Sequence, residues 1–444
     1  MQVQSLARFA ATATPSTAAR DVAIPAVADC FGCILAGAES EVAQKTVTAY
    51  RRLGQGTAPV FGTTQTLATS AAALANAVAG HAWDLDDWEE PGNTHPTVVL
   101  LPALLAAAHL KPVAGRDLLA AYAVGCEIIM RLGEAVTLDH YARGFHSTAT
   151  LGAIGAAGAV GRQLRLSEDQ IAHAMAIATS QAVGYTVQFG SNAKPLQAGF
   201  AARIGVEAAV LAAQGATGQP GVIEHPRGFS GLMGELDPQR FDDMTNKIGA
   251  PWALEEYGLV LKPWPSCGYT HRLMTAALDL RGKVLDRLDQ ITSIRARLPD
   301  FHYKILPFDR PTTRNEALFS APACIAQALV SGELTLADSA AGFWMQEPVD
   351  RLVRCTRVTA EPARNPKLNY DPEQPDHLII ELHNGEVIET ICAYPLGAPQ
   401  NPMNTQRLAA KFHSITTRPE AKFDHLLQWA EAPDVARVFQ EFTR

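Results

Sequence analysis

From the start of the chain to about residue 262, apolar residues recur every three to four positions in Ala-rich segments: 67–82, 96–110, 117–132, 147–164, 167–184 and 195–215. That spacing predicts packed helices. Gly152, Gly155, Gly158 and Gly161 occupy every third position of one of them, a stripe that lets a neighbouring helix come close. The stripe follows no strand and has no glycines two apart, so it does not match a dinucleotide-binding turn.

After Cys267 the pattern changes. A helix over about 271–285 precedes residues 291–299, where Ile294, Ala296 and Leu298 alternate with polar residues as in a half-buried strand. The segments HLIIELH and EVIETICAY flank Asn384-Gly385. This predicts a hairpin closed by a two-residue type I′ turn, with both central residues at positive φ. Helices are expected over 315–331 and 345–354, a strand over 355–360, and helices again over 405–415 and 432–442. The expected fold is mainly α. An all-helical domain covers 1–264, a smaller α+β domain with a small antiparallel sheet covers 265–400, and C-terminal helices over 401–444 return to the first domain.

At 444 residues the chain has room for two or three domains of about 150 residues each. Its 47% hydrophobic and 18% charged composition excludes disorder and fibre. A formal net charge of −8 gives no positive field for nucleic acid or an anionic membrane, so an anionic ligand must be caught by local charge. Apolar runs such as 22–38 are broken by Pro25, Asp29 and glycines, short of the roughly 18 uninterrupted apolar residues of a membrane span, and none is expected. Seven scattered cysteines, together with an N-terminus lacking the signal-peptide pattern, fit a reducing cytoplasm.

The densest chemistry lies in His81-Ala-Trp-Asp84-Leu-Asp86-Asp87-Trp88-Glu-Glu-Pro-Gly-Asn-Thr-His95-Pro96, which ends one helix and starts another. Aspartates at a helix C-terminus face the negative end of its dipole, at a cost of about 0.3–1 kcal/mol each when exposed. A compensating role is therefore expected; acids on a solvated loop and a D-x-D-D site for Mg²⁺ are the alternatives. His95-Pro96 and Lys194-Pro195 each place proline in a first helical turn, leaving the preceding side chain beside unpaired N–H groups, an anion-binding corner. His146 precedes Ser147 and Thr148, good cap residues, and His271 stands at another helix start. A helix N-terminus attracts carboxylate and keeps a histidine neutral, able to act as a base near pH 7. Together these residues suit removal of a proton α to a carboxylate, which needs a base, a partner acid and fixed positive charge. For each histidine taken singly, a cap or a packed residue is the plainer reading. H-E-x-x-H, paired C-x-x-C and G-x-S-x-G motifs are missing; Cys30-x-x-Cys33 lies in an apolar helix, and Cys267 reads as packing.

These residues resemble the MmgE/PrpD family. The resemblance rests on H-A-W-D-L-D-D followed by T-H-P (81–96), G-F-H-S-T-A-T-L-G (144–152), S-N-A-K-P-L-Q-A-G-F-A-A-R around Lys194, K-P-W-P-S-C-G-Y-T-H (262–271), and the late N-P-M followed by Lys411-Phe412. It covers nearly the whole chain. It implies an all-helical domain with a smaller α+β lid and the pocket between them. It also implies Asp84, His95, His146, Lys194 and His271 as active-site residues, with Asp84 orienting a histidine, and Lys194, Trp88, Lys262 and Tyr269 as candidates for holding substrate. Chemistry without cofactor or metal, a small di- or tricarboxylate substrate and a homodimer are further implications. Where the family's dehydratases and decarboxylase usually read D-D-T, this chain has Asp87-Trp88 and an apparent extra residue before Thr94-His95. The missing hydroxyl puts hydration chemistry in doubt. The expectation is therefore an epimerase acting on a dicarboxylate such as iminodisuccinate. A lyase using the same residues is the alternative, and a non-catalytic carboxylate-binding protein is the rival from another class.

Overall fold

Proline and capping residues set where the helices begin. The structure, a computed structural model, describes residues 2–235, 237–365 and 368–442, with the side chains of residues 2, 137, 138, 420 and 421 outside that description. The chain forms two units: Met1–Ala82, Asp86–Leu261 and Thr405–Arg444 make the first, Trp83–Leu85 and Lys262–Asn404 the second. The change of unit falls at Leu261/Lys262, earlier than the sequence boundary after residue 264, and Trp83–Leu85 from inside the acidic motif group with the second unit.

The first unit runs α1 (Gln2–Thr12), α2 (Thr17–Gly37), α3 (Glu41–Leu53), a short ribbon β1 (Ala58–Pro59) and β2 (Thr66–Leu67), α4 (Thr69–His81), α5 (Pro96–Leu110), α6 (Gly115–Ala142), α7 (Ser147–Gln163), α8 (Glu168–Thr179) and α9 (Ala193–Ala213). Pro96 stands in the first turn of α5, and Ser167 with Gln170 forms a reciprocal cap on α8. α8 stops at Thr179, before the expected residue 184. The glycine stripe does what its spacing predicts. A Cβ on Gly155 would lie 2.3 Å from Ile129 Cγ1, and one on Gly158 2.3 Å from Ile128 Cδ1, so α7 lies against α6 too closely for any side chain there. α9 is long and apolar enough to cross a membrane by composition, yet 61% of that window is buried, against α4, α5, α7 and α8.

Short helices α10 (Phe229–Met233), α11 (Pro238–Lys247) and α12 (Ala253–Glu256) follow. The C-terminal helices Thr405–Thr416, Glu420–Leu426 and Val435–Gln440 complete the first unit. Phe439 meets Phe31 of α2 at 4.6 Å between ring centroids, and Trp429 Nε1 donates to the Ile24 carbonyl at 3.2 Å.

The second unit holds α13 (His271–Val284) and a four-stranded sheet of β3 (Ile291–Pro299), β4 (Thr356–Glu361), β5 (Asp376–Leu382) and β6 (Val387–Cys392) in the order β4-β3-β5-β6. Ile291, Ile294, Ala296, Leu298, Leu378, Ile380 and Leu382 are buried, and α13 packs against β5 and β6. The sheet is mixed where antiparallel was expected. β3 pairs parallel with β4 because helices carry the chain back between them, and antiparallel with β5. The segment expected as one helix over 315–331 divides into Arg314–Ala317 and Ala321–Ser331, where Ser320 accepts from the Ala323 N–H and Pro322 stands in the first turn. The β5–β6 hairpin forms, but its turn is not type I′. Gly385 is at φ +84 while Asn384 is not at positive φ, and Gly385 N–H donates to Leu382 O. The loop is thus a three-residue connection with glycine in the left-handed position.

Candidate active site

Three histidines gather in the first unit at the ends of three helices. His81 is the last residue of α4, His95 immediately precedes α5, and His146 immediately precedes α7. The His81 and His95 rings meet edge to face at 4.6 Å, and the His81 and His146 rings stack at 6.1 Å. Thr148 does not cap its own helix. Its hydroxyl accepts from the His95 backbone N–H at 3.0 Å, tying the starts of α5 and α7 together.

The hydrogen bonds assign the ring protons. His81 Nδ1 lies 2.9 Å from both oxygens of Asp86, and His95 Nδ1 lies 3.1 Å from Asp86 Oδ2 and 2.8 Å from the Asp87 carbonyl. Carboxylate and carbonyl only accept, so each Nδ1 carries the proton and each Nε2 keeps its lone pair. His146 Nδ1 lies 2.7 Å from Gln197 Oε1, and Gln197 Nε2 donates to Tyr185 O at 3.2 Å, which orients the amide. His146 therefore shares this tautomer. Its Nε2 and that of His81 are buried without a hydrogen-bond partner among the described residues. Burial first, then the charges of His81, Lys194 and His95, holds His146 well below the ordinary histidine range.

The acidic motif separates into three environments. Burial alone would raise Asp86, but His81 and His95 outweigh it and hold its carboxyl well below the ordinary range. Asp87 goes the other way: burial pushes it well above its usual value although the Thr97 hydroxyl donates to it, and Tyr122 Oη lies 2.6 Å from that hydroxyl. Asp84 carries Lys262, with Nζ 2.7 Å from Oδ1 and 3.0 Å from its carbonyl. Asp84 has φ +52, a left-handed conformation uncommon outside glycine. Glu89 is raised to about 7 by burial while accepting from Gly92 N–H at 2.8 Å and Thr94 N–H at 3.1 Å, which braces the loop leading to His95.

The residues expected from sequence thus fall in two groups. His95, His146 and Lys194 share the first unit. Lys194 is buried in the first turn of α9, its Nζ 5.3 Å from the centre of the Phe189 ring that also meets His146. Trp88 is buried there too, its backbone bridged to Val260. Asp84, Lys262, Tyr269 and His271 belong to the second unit. The buried His271 has Nε2 3.1 Å from Ser266 Oγ, and Tyr269 donates to Asn369 Oδ1 at 2.8 Å while its ring stacks on His302. Asp86 is a carboxylate of the first unit that meets both His81 and His95. Sequence reasoning missed His81, Asp86 and Gln197 as site residues. Gln197 had a readable signal, since it stands three positions after Lys194 and so on the same face of α9. A ring nitrogen of His81, one of His95 and an Asp86 oxygen lie within 4.8 Å of one another and could alternatively ligate a divalent cation.

Comparison with known proteins finds matches to both parts of the chain. Residues 4–241 match the MmgE/PrpD N-terminal domain and residues 264–426 the MmgE/PrpD C-terminal domain. The chain is 28% identical over 413 residues to a cis-aconitate decarboxylase of Mus musculus, covering 88% of this chain and 81% of the relative. It is 27% identical over 416 residues to one of Aspergillus terreus, covering 88% and 83%. With the Homo sapiens enzyme of the same name it shares 32% identity over 275 residues, covering 60% and 56%.

Proposed function

The chain belongs to the MmgE/PrpD family, and from that premise we propose that it is a lyase of a small di- or tricarboxylate, with His146 as the base that moves a proton at the carbon beside a carboxylate. The observation that carries this reading is the His146 ring, pinned through Nδ1 to Gln197 with a buried, unpartnered Nε2. Burial keeps that nitrogen unprotonated at neutral pH. An anionic substrate bound beside it would raise its proton affinity at the moment of reaction. Lys194 is the fixed positive charge for a substrate carboxylate, and Asp86 stabilises the positive charge that His95 carries once Nε2 has taken up a proton, the form in which it gives that proton as the partner acid.

The lyase reading displaces the epimerase expected from the Asp87-Trp88 departure, because the relatives are decarboxylases matched over more than four fifths of the length of two of them. Dehydration would break a C–H and a C–O bond to leave an alkene and water. Decarboxylation would break a C–C bond, release CO₂ and return a proton to the carbanion. Both require one proton to move at the same kind of carbon.

The reading is tested by proton NMR of a panel of di- and tricarboxylates, cis-aconitate first, incubated in D₂O with chelator-treated protein. Product alkene with release of water or CO₂ is expected. Interconversion of diastereomers with deuterium wash-in alone would make the protein an isomerase. Ligand-induced thermal stabilisation without turnover would make it a binding protein. Activity lost to the chelator and restored by Mg²⁺ would give the His81–Asp86–His95 donors to a cation instead.

A pH profile tests the base separately. A histidine held well below 6.5 is already neutral there, so kcat/KM should stay level as pH falls to 6.5, with its acid limb lower still. An acid limb centred above 6.5 would exclude His146 in this environment as the base.

A further inference from the structure

The His81 side chain has no exposure, and neither does that of Asp86, whereas the His95 side chain is 14% exposed. A fully buried carboxylate needs donors, and among the described residues Asp86 meets two rings: His81 Nδ1 lies 2.9 Å from each oxygen, and His95 Nδ1, whose N–H donates to the Asp87 carbonyl at 2.8 Å, lies 3.1 Å from Oδ2. The His81 donor is locked. Moving its proton to Nε2 would bury an N–H that has no hydrogen-bond partner among the described residues and would turn the Nδ1 lone pair onto a carboxylate 2.9 Å away. His81 therefore presents an N–H to Asp86 in every low-energy state of the neutral ring. A donor shared between both oxygens fixes the plane of the carboxylate, and that plane aims Oδ2 at His95 Nδ1. The Asp87 carbonyl at 2.8 Å keeps the His95 proton on Nδ1, and Asp86 Oδ2 at 3.1 Å sets the ring against a fixed carboxylate.

We propose that His81 is a positioning residue for His95, acting through Asp86. This deepens the reading of His95 as part of the proton-transfer set and rests on it.

The test uses the full chain with His81→Leu, which keeps bulk but has no donor, and His81→Asn, whose side-chain N–H takes the place of Nδ1–H. Against whichever acid the wild type turns over, His81→Leu should lower kcat by about 10- to 100-fold with KM changed by no more than about threefold, and His81→Asn should recover most of the loss. A folded His81→Asn no better than His81→Leu would overturn the proposal, since the function would then reside in Nε2. Full activity in His81→Leu would overturn it as well.

A second measurement needs no substrate. In protein carrying ¹⁵N-labelled histidine, the ring-nitrogen shifts should show His81 and His95 of the wild type protonated on Nδ1 at pH 7, the His95 shifts displaced in His81→Leu as its contact with Asp86 loosens, and the wild-type pattern restored in His81→Asn. If either wild-type ring carries its proton on Nε2, or if His81→Leu leaves the ring-nitrogen shifts of His95 unchanged, the positioning role fails. That result would stand even if the protein turned over none of the acids offered, so failure of the lyase reading and failure of this proposal are separable.

Discussion

His146→Ala should lower kcat by about 10²- to 10⁴-fold, the range supplied by a positioned general base. The same variant should unfold within a few degrees of the wild type. His146 is buried, but the substitution removes one hydrogen bond, to Gln197, and at the same time a buried Nε2 that had no partner. The substitution leaves the buried Gln197 Oε1 without its donor, at about 1–3 kcal/mol, and loss of the unpaired nitrogen offsets part of that. Steady-state kinetics together with a thermal melt decide the matter. Turnover within a few-fold of the wild type in a folded variant would move the base elsewhere in the histidine cluster. A large drop in melting temperature with turnover largely retained would make His146 a packing residue.

Lys411→Met should have the largest effect on stability, a loss of about 3–5 kcal/mol, as expected when one partner of a buried ion pair is removed. Lys411 Nζ lies 2.7 Å from Asp29 Oδ2, and the side chains are only 5% and 3% exposed. This pair joins α2 to the C-terminal helix Thr405–Thr416, and Lys411 is also a nearby cation for Asp86. Burial already raises the Asp29 carboxyl with its partner present. Without Lys411 nothing on that partner opposes the rise, so the folded protein would hold a proton on Asp29 up to a higher pH than the unfolded chain does. An acid whose folded-state pKa is raised costs stability above that pKa, and the cost shrinks as pH falls through it. Urea unfolding should therefore show a larger deficit for Lys411→Met at pH 8 than at pH 5, and Asp29→Leu combined with Lys411→Met should recover much of it. Equal stability of Lys411→Met and wild type at pH 8 would mean that the pair contributes nothing.

These predictions divide between what can be read along the chain and what cannot. The start of α5 follows from Pro96 in its first turn, because a helix start is decided by groups within one turn of it, whereas α7 and α13 begin where expected without the side-chain caps that Ser147, Thr148 and the residues around His271 offered. Strand alternation over β3 and the Asn384-Gly385 hairpin were legible for the same reason. The form of the turn was not, since the left-handed position fell on Gly385 alone. Neither was the parallel pairing of β3 with β4, which depends on how the intervening helices return the chain.

The acidic motif marks the limit more sharply. Asp84, Asp86 and Asp87 are alike in a string of letters, yet one meets Lys262, one meets two histidines and one meets the Thr97 hydroxyl. By itself the sequence determined the mainly helical fold, the family, and the places where histidines and Lys194 stand at helix starts. Those properties depend on periodicity and on hydrogen bonds between near neighbours. Only the tertiary structure decided that Asp86 serves His81 and His95, that Gln197 strips the proton from His146 Nε2 by holding it on Nδ1, and that Asp29 meets Lys411. Such pairings join residues up to 382 positions apart. They are selected because a buried charge or lone pair must find its partner among whatever the packed helices bring beside it, and local sequence carries no record of that neighbour.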